Sequence, residues 1–408
     1  MNTKAISLIY IIILLSISGV VNAKDFYWIG GSGNWNEIQH WSDQPGGQVN
    51  PDAAVPNFSD NVFFDENSFS ITGAEVVIND VAKCANMDWS NVTNLPTLKA
   101  DNDPAHFLTI YGGLKLGTDM LLDLLKPLYF SASTPNNEID FAGHTFNEDI
   151  HFTKNGGWII KTPLHVQNHI IYFEQGNLSF EADVTCAQII ADNPISRTWT
   201  LNNSTVNLTG SGASVLMINA DNLNLNPGNS NVIASGVGAS IAISGSVPLN
   251  LYNIEFQKNG ARIINETLLV NFNNVEFMDG GSLQGPNRFQ NLIFTKGNDY
   301  FIQNGYDQTI LDSWTAIGTC SEHINLSGLG GNGSIIANAV SLEFLKINNM
   351  SASGAAAPFD ANDSFDLGGN TNWNIIPLTP DNYSWTGATD NKWSTPSNWD
   401  KNCVPSRI

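Results

Sequence analysis

The sequence predicts an all-β chain wound as a right-handed parallel β-helix, a β-solenoid, with a tryptophan-rich N-terminal cap. Three observations carry that expectation. Segments of strand length follow one another with Asn, Gly, Asp or Pro between them; a short phrase built on asparagine recurs; and a tryptophan motif near the start is echoed near the end. Tandem β-sandwiches are the competing arrangement, because short strands with regular turn signals also suit a sandwich. The recurring phrase tips the reading toward the solenoid.

The chain opens with Lys4, a mostly apolar run from Ile6 to Ile17, and Val21-Asn22-Ala23. That is the order of a secretory signal, so residues 1–23 are expected to be removed. The apolar run is shorter than the roughly 20 residues that span a bilayer, and no membrane span is expected after cleavage. Losing Lys4 takes the formal charge from −21 to −22. Such a chain repels phosphate backbones and anionic lipid, which excludes nucleic acid as an expected partner.

Charged residues make up 13% of the chain, and Gly, Asn, Ser and Thr supply its polarity, which is turn-rich β composition and not that of a disordered acidic tail. Cys84, Cys186, Cys320 and Cys403 are far apart and form no CxxC pair. They read as neither a small disulfide framework nor a zinc site. The first three are expected as buried single thiols, and Cys403 as a thiol whose partner lies beyond the sequence.

Residues 24–65 read as the cap and module start, with tryptophans at 28, 35 and 41. Residues 66–376 read as the helix. Short strand-length segments begin with Asn61 to Phe64 at the end of the module start and continue with Glu75 to Ile78 and Ala85 to Trp89. The stretch Asp119 to Leu125 has some helical periodicity, but Pro127 and its β flanks favour strand.

The Asn phrase recurs as Ala85 to Trp89, Tyr252 to Phe256, Asn273 to Phe277 and Gln290 to Phe294. Aligned on the asparagine, the last three lie 21 and 17 residues apart, about one coil each. A looser version begins at Ala187, where Cys186 stands as Cys84 does earlier. Inward positions are expected at Ile78, Met87, Ile110, Ile159, Ile171, Ile189, Leu208, Leu225, Ile254, Val275, Leu292, Ile310 and Ile347. At about 20 residues per coil the rod would be on the order of 80 Å long.

Residues 377–408 begin a second module, with tryptophans at 385, 393 and 399. It reaches Val404-Pro405 only 6 residues after its last tryptophan, against 15 in the first copy. The chain is expected to continue beyond Ile408.

From Phe289 to Phe294, and on through Tyr300, Gln303, Gly305, Trp314 and Gly318 to Ser321, the sequence resembles a known family. The stretch Ala361 to Trp373 resembles that family's module ending, and Trp28 to Trp41 with Asp60 to Asp65 its module start. The family is that of large, secreted, adhesin-like repeat proteins from bacteria that use type IX secretion. The resemblance implies parallel β-helix modules in tandem and an extracellular or outer-surface location. It carries over no catalytic residues.

No catalytic, metal or cofactor residue is expected. Glu255 and Glu276 recur in register as an exposed strand face, short of the convergent pair a glycosidase needs. His165 and His169 are four apart, but the surrounding β pattern argues against a helical ligand pair. Asp360, Asn362, Ser364 and Asp366 alternate oxygen groups, yet lack the glycine and closing glutamate of a calcium loop. Asp101-Asn102-Asp103 is weaker still.

Trp28, Trp35 and Trp41 could stack on sugar rings, but a plug over the open first coil is the favoured role. Asn203-Ser204-Thr205 reads as a chance match to a glycosylation triplet. The chain is therefore expected to be a non-enzymatic, secreted or cell-surface stalk, a monomeric rod facing an unknown surface glycan or protein. The alternative is a carbohydrate-active or glycan-binding β-helix.

Overall fold

The computed structural model describes residues 23–212, 214–265, 269–378, 383–400 and 403–404. The expected leader falls almost wholly outside them. Strand after strand alternates inward and outward side chains, and parallel coils stack into a β-solenoid of about 14 turns. At about 4.8 Å per coil the rod is roughly 65 Å long, shorter than the sequence suggested. The reason is coil length: Asn274 pairs with Asn291 after 17 residues, but Ile190 pairs with Met217 only after 27.

The asparagine phrase shows how the coil bends. In Val270–Phe277 the alternation is in, out, in, then two outward residues, Asn273 and Asn274, before Val275 and Phe277 point inward again. The doubled outward pair reverses the phase and lets one strand serve two walls. Leu249–Phe256 and Asn287–Phe294 repeat the pattern. Asn253, Asn274 and Asn291 lie in direct register, and each amide donates to the next asparagine back, at 2.8 and 2.9 Å. An earlier copy occupies another face of the coil, where Asn86 donates to Asn61. Cys84 pairs with Ile110 and Cys186 with Leu208, on different columns, so the two cysteines are not equivalent.

Three walls enclose the core. The first begins at Asp25–Trp28 and passes through Asn61–Phe63 to Leu223–Asn226. The second includes Glu75–Ile78 and Thr97–Ala100. The third runs from Val81–Cys84 through Ala261–Asn265 and Asp299–Gln303 to Phe365–Asp366. Inward phenylalanines stack from coil to coil, as with Phe256 on Phe277 at 4.6 Å. Each such ring stabilises by roughly 1.5–3 kcal/mol through burial before entropy is subtracted.

The expected inward residues are buried except Ile159 and Leu225. In Gly157–Ile160 the phase is set by Trp158 and Ile160, which turns Ile159 outward. Leu225 packs only partly against the core. The stretch around Asp119 is strand, at Leu121–Asp123.

Polar groups enter the core in columns. Asn287 and Gln308 are buried in register, with Asn287 Nδ2 3.0 Å from Gln308 Oε1 and Gln308 Nε2 2.8 Å from the Gly285 carbonyl, and buried Asn265 lies beside them at the end of a third-wall strand. Gly285 is needed there: at φ +77° an added Cβ would lie 1.3 Å from the Asn265 carbonyl oxygen. Arg197 is also buried; its guanidinium donates to the Ala191, Ile195 and Asn219 carbonyls. Burial pulls its pKa below the usual arginine value, with Asp192 opposing.

The cap closes the first coil. Trp41–Ser42 folds back antiparallel on Asp25–Trp28, pairing Trp28 with Trp41 and covering an edge that would otherwise be bare. The Trp28 indole N–H donates to Gly31 and that of Trp41 to Trp35. All three tryptophans are at most 2% exposed.

The later motif repeats this geometry in detail. Trp385 and Trp399 form an antiparallel bridge, their rings cross at 82° against 89° in the first copy, and Trp399 donates to the Trp393 carbonyl. A short 3-10 turn precedes the last tryptophan of each copy. Trp385 and Trp393, however, are 44% and 61% exposed.

A disulfide joins Cys403, beside this second motif, to Cys320 on the solenoid. That corrects the expectation of a free Cys320 and of a partner for Cys403 beyond the sequence. Cys84 and Cys186 are buried and free, as expected. Among the described residues, no helix is long and apolar enough to cross a membrane.

Candidate functional site: a groove at the glycine corners

A concavity opens where successive coils turn into the third wall. Each corner carries a glycine with a positive φ, at Gly238, Gly260, Gly280 and Gly297. The backbone needs glycine there, and the missing side chains leave a trough instead of a ridge. The trough has a volume of about 620 Å³ and is lined by Asn259, Arg262, Asp279, Asn298, Asp299 and Phe301 among others.

Arg262, Ser282 and Phe301 follow one another in register along its floor. Phe301 is 40% exposed, and the residues stacked on either side of it are Ser282 and Ser327, so no aromatic ring covers its faces. One oxygen of Asp279 accepts the Asn259 backbone N–H at 3.1 Å, and one oxygen of Asp299 accepts from the Asn325 amide at 2.6 Å. Among the described residues the second oxygens have no protein donor and Arg262 forms no ion pair. The trough thus combines an open ring face, two anchored carboxylates and a planar donor.

A second aromatic column, Tyr129, His151 and Tyr172, lies lower on the same wall. Its rings stack on one another at 4.7 and 4.3 Å, so their faces are already occupied and a ligand meets only their edges. The His151 Nδ1 lies 3.0 Å from Glu174. Burial, then Glu174 and Asp149, push the Tyr129 hydroxyl upward, and similar causes act on Tyr172. This column is a structural zipper between coils.

The residues singled out from the sequence lie elsewhere. Glu255 and Glu276 are neighbours in register on an outward face, and Glu255 accepts from Gln257 at 2.7 Å. His165 is exposed, while His169 turns at a bulge and meets Asp149 at 3.3 Å.

Asp360 is bonded to Asn374, Ser364 is buried against Leu345 and Asn362, and Asp366 accepts from Gly368 and Asn370. These groups bond separate partners within the last coils. Asp101 holds His106 at 2.8 Å. Burial pushes the Asp101 carboxyl up, but the His106 and Asp103 hydrogen bonds outweigh it, leaving it below the usual carboxylate range. Ser204 is buried and bonds the Leu201 carbonyl. Among the described residues no group of three or more His, Cys, Asp or Glu is placed to hold a metal ion.

Sequence reasoning missed the trough. Its signal was the dipeptide at each corner, Asn259-Gly260, Asp279-Gly280 and Gly297-Asn298, ahead of each third-wall strand. Comparison with protein-family models, curated proteins and solved structures finds no match to this chain.

Proposed function

We propose that the chain is a secreted or cell-surface, adhesin-like rod that displays binding surfaces and performs no catalysis. The observation that carries this reading is the continuity of the coil: one repeated cross-section runs through about 14 turns, with side-chain columns in register. Repetition of this kind builds reach and an extended surface. The resemblance to adhesin-like repeat proteins and the expected leader support the same role.

The alternative, a carbohydrate-active enzyme, keeps one favouring observation, the two aspartates that share the trough. A glycosidase needs two such groups converging on one bond.

Expression in a secreting bacterial host tests the reading. The protein should be recovered from the medium or the outer surface with Lys24 at its N-terminus, and beads coated with it should adhere to glycan- or cell-coated surfaces. Retention inside the cell with the leader intact, or coated beads that adhere no better than blank ones, would sink it.

A further inference from the structure

We propose that the trough beside Phe301 is a binding site for a neutral oligosaccharide chain. The inference deepens the adhesive reading and rests on it.

The chemistry of the walls selects the ligand. A sugar ring offers an apolar C–H face and a rim of hydroxyls. Phe301 supplies an exposed ring whose faces no neighbouring ring occupies, and around it stand carboxylates, amides and a guanidinium. Asp279 and Asp299 are each held by a hydrogen bond through one oxygen, leaving the other to accept from hydroxyls. Such charge-assisted bonds are stronger than neutral ones. Arg262 donates in a planar fork that matches adjacent oxygens.

Charge and shape exclude the rivals. Two carboxylates face one guanidinium on a chain of net charge −21, which disfavours uronate or sulfated glycans. The trough runs along the rod across several coils, a span on the order of 10 Å, which suits a chain of sugars better than one.

The test is affinity measurement by calorimetry on the intact chain. The probes are neutral oligosaccharides (glucans, xylans, galactans and N-acetylglucosamine oligomers) and anionic ones (uronates and sulfated galactans). The wild type should bind at least one neutral class. Phe301→Ala and Asp279→Asn should each weaken that binding about tenfold or more. Phe301→Tyr should restore it, and Glu276→Gln, outside the trough, should leave it within about twofold.

Phe301 and Asp279 project outward, and circular dichroism checks that each variant folds. No neutral binding, or binding of anionic probes only, overturns the proposal. Neutral binding that survives both Phe301→Ala and Asp279→Asn overturns the site while leaving the adhesive reading intact. Cleavage of a bound probe overturns the non-enzymatic reading and leaves the site standing.

Discussion

Replacing Arg197 with methionine should loosen the middle of the rod, and the size of the effect follows from its three hydrogen bonds. The guanidinium lies 2% exposed and bonds the carbonyls of Ala191, Ile195 and Asn219, so it ties its own corner to the next coil. Methionine fills most of the volume and supplies no donor. Each carbonyl loses a charged donor, a penalty of about 1–3 kcal/mol at Ala191, whose bond is buried, while the other two are closer to solvent and lose less.

Relief from burying a charge offsets part of this, because buried ions cost desolvation energy even when paired. The net expectation is a loss of about 2–4 kcal/mol. Arg197→Lys should do no better, since an ammonium on a single stem cannot reach three carbonyls in a plane. Urea denaturation with hydrogen exchange across residues 184–226 measures it, the loss concentrating in those coils. A methionine variant as stable as wild type would make the arginine a passive occupant.

Under non-reducing denaturation, thiol reagents should label Cys84 and Cys186 alone, and a cross-linked peptide should join Cys320 to Cys403; four reactive thiols would contradict the disulfide. In the native protein the first two should stay unlabelled, since burial pushes both thiols far upward.

Asp390 should make the second tryptophan motif acid-sensitive. The Lys392 backbone N–H, against a smaller effect of burial, and the Asn398 and Thr395 side chains hold its carboxyl below the usual range. Its folded pKa being the lower, its contribution is present above the ordinary carboxylate value and lost as pH falls through the depressed one. Amide protection in residues 384–400, measured against the intrinsic exchange rate at each pH, should therefore fall below roughly pH 4, an effect blunted in Asp390→Asn. A flat profile would contradict it.

What could be read from the sequence was what is repeated locally. The 21- and 17-residue spacing of Asn253, Asn274 and Asn291 is the spacing of real neighbours, because the doubled outward asparagine is a requirement of the bend. Ile159 was misplaced because strand phase near Trp158 is decided by which large ring the core accepts. The Cys320 bridge was hidden because its partner is 83 residues away in sequence. The trough was hidden for a related reason: Arg262, Asp279, Asp299 and Phe301 meet only when three coils are stacked in the right register. The tryptophan cap was legible because both copies close on themselves within one short hairpin.

The rod is proposed to bind glycan and not to process it. Prolonged incubation of the purified chain with each neutral polysaccharide tests it most directly, scoring retention on the polymer and release of new reducing ends in the same sample. The account predicts retention with chain length unchanged. Steady release of shortened products that disappears in Asp279→Asn or Asp299→Asn would contradict it.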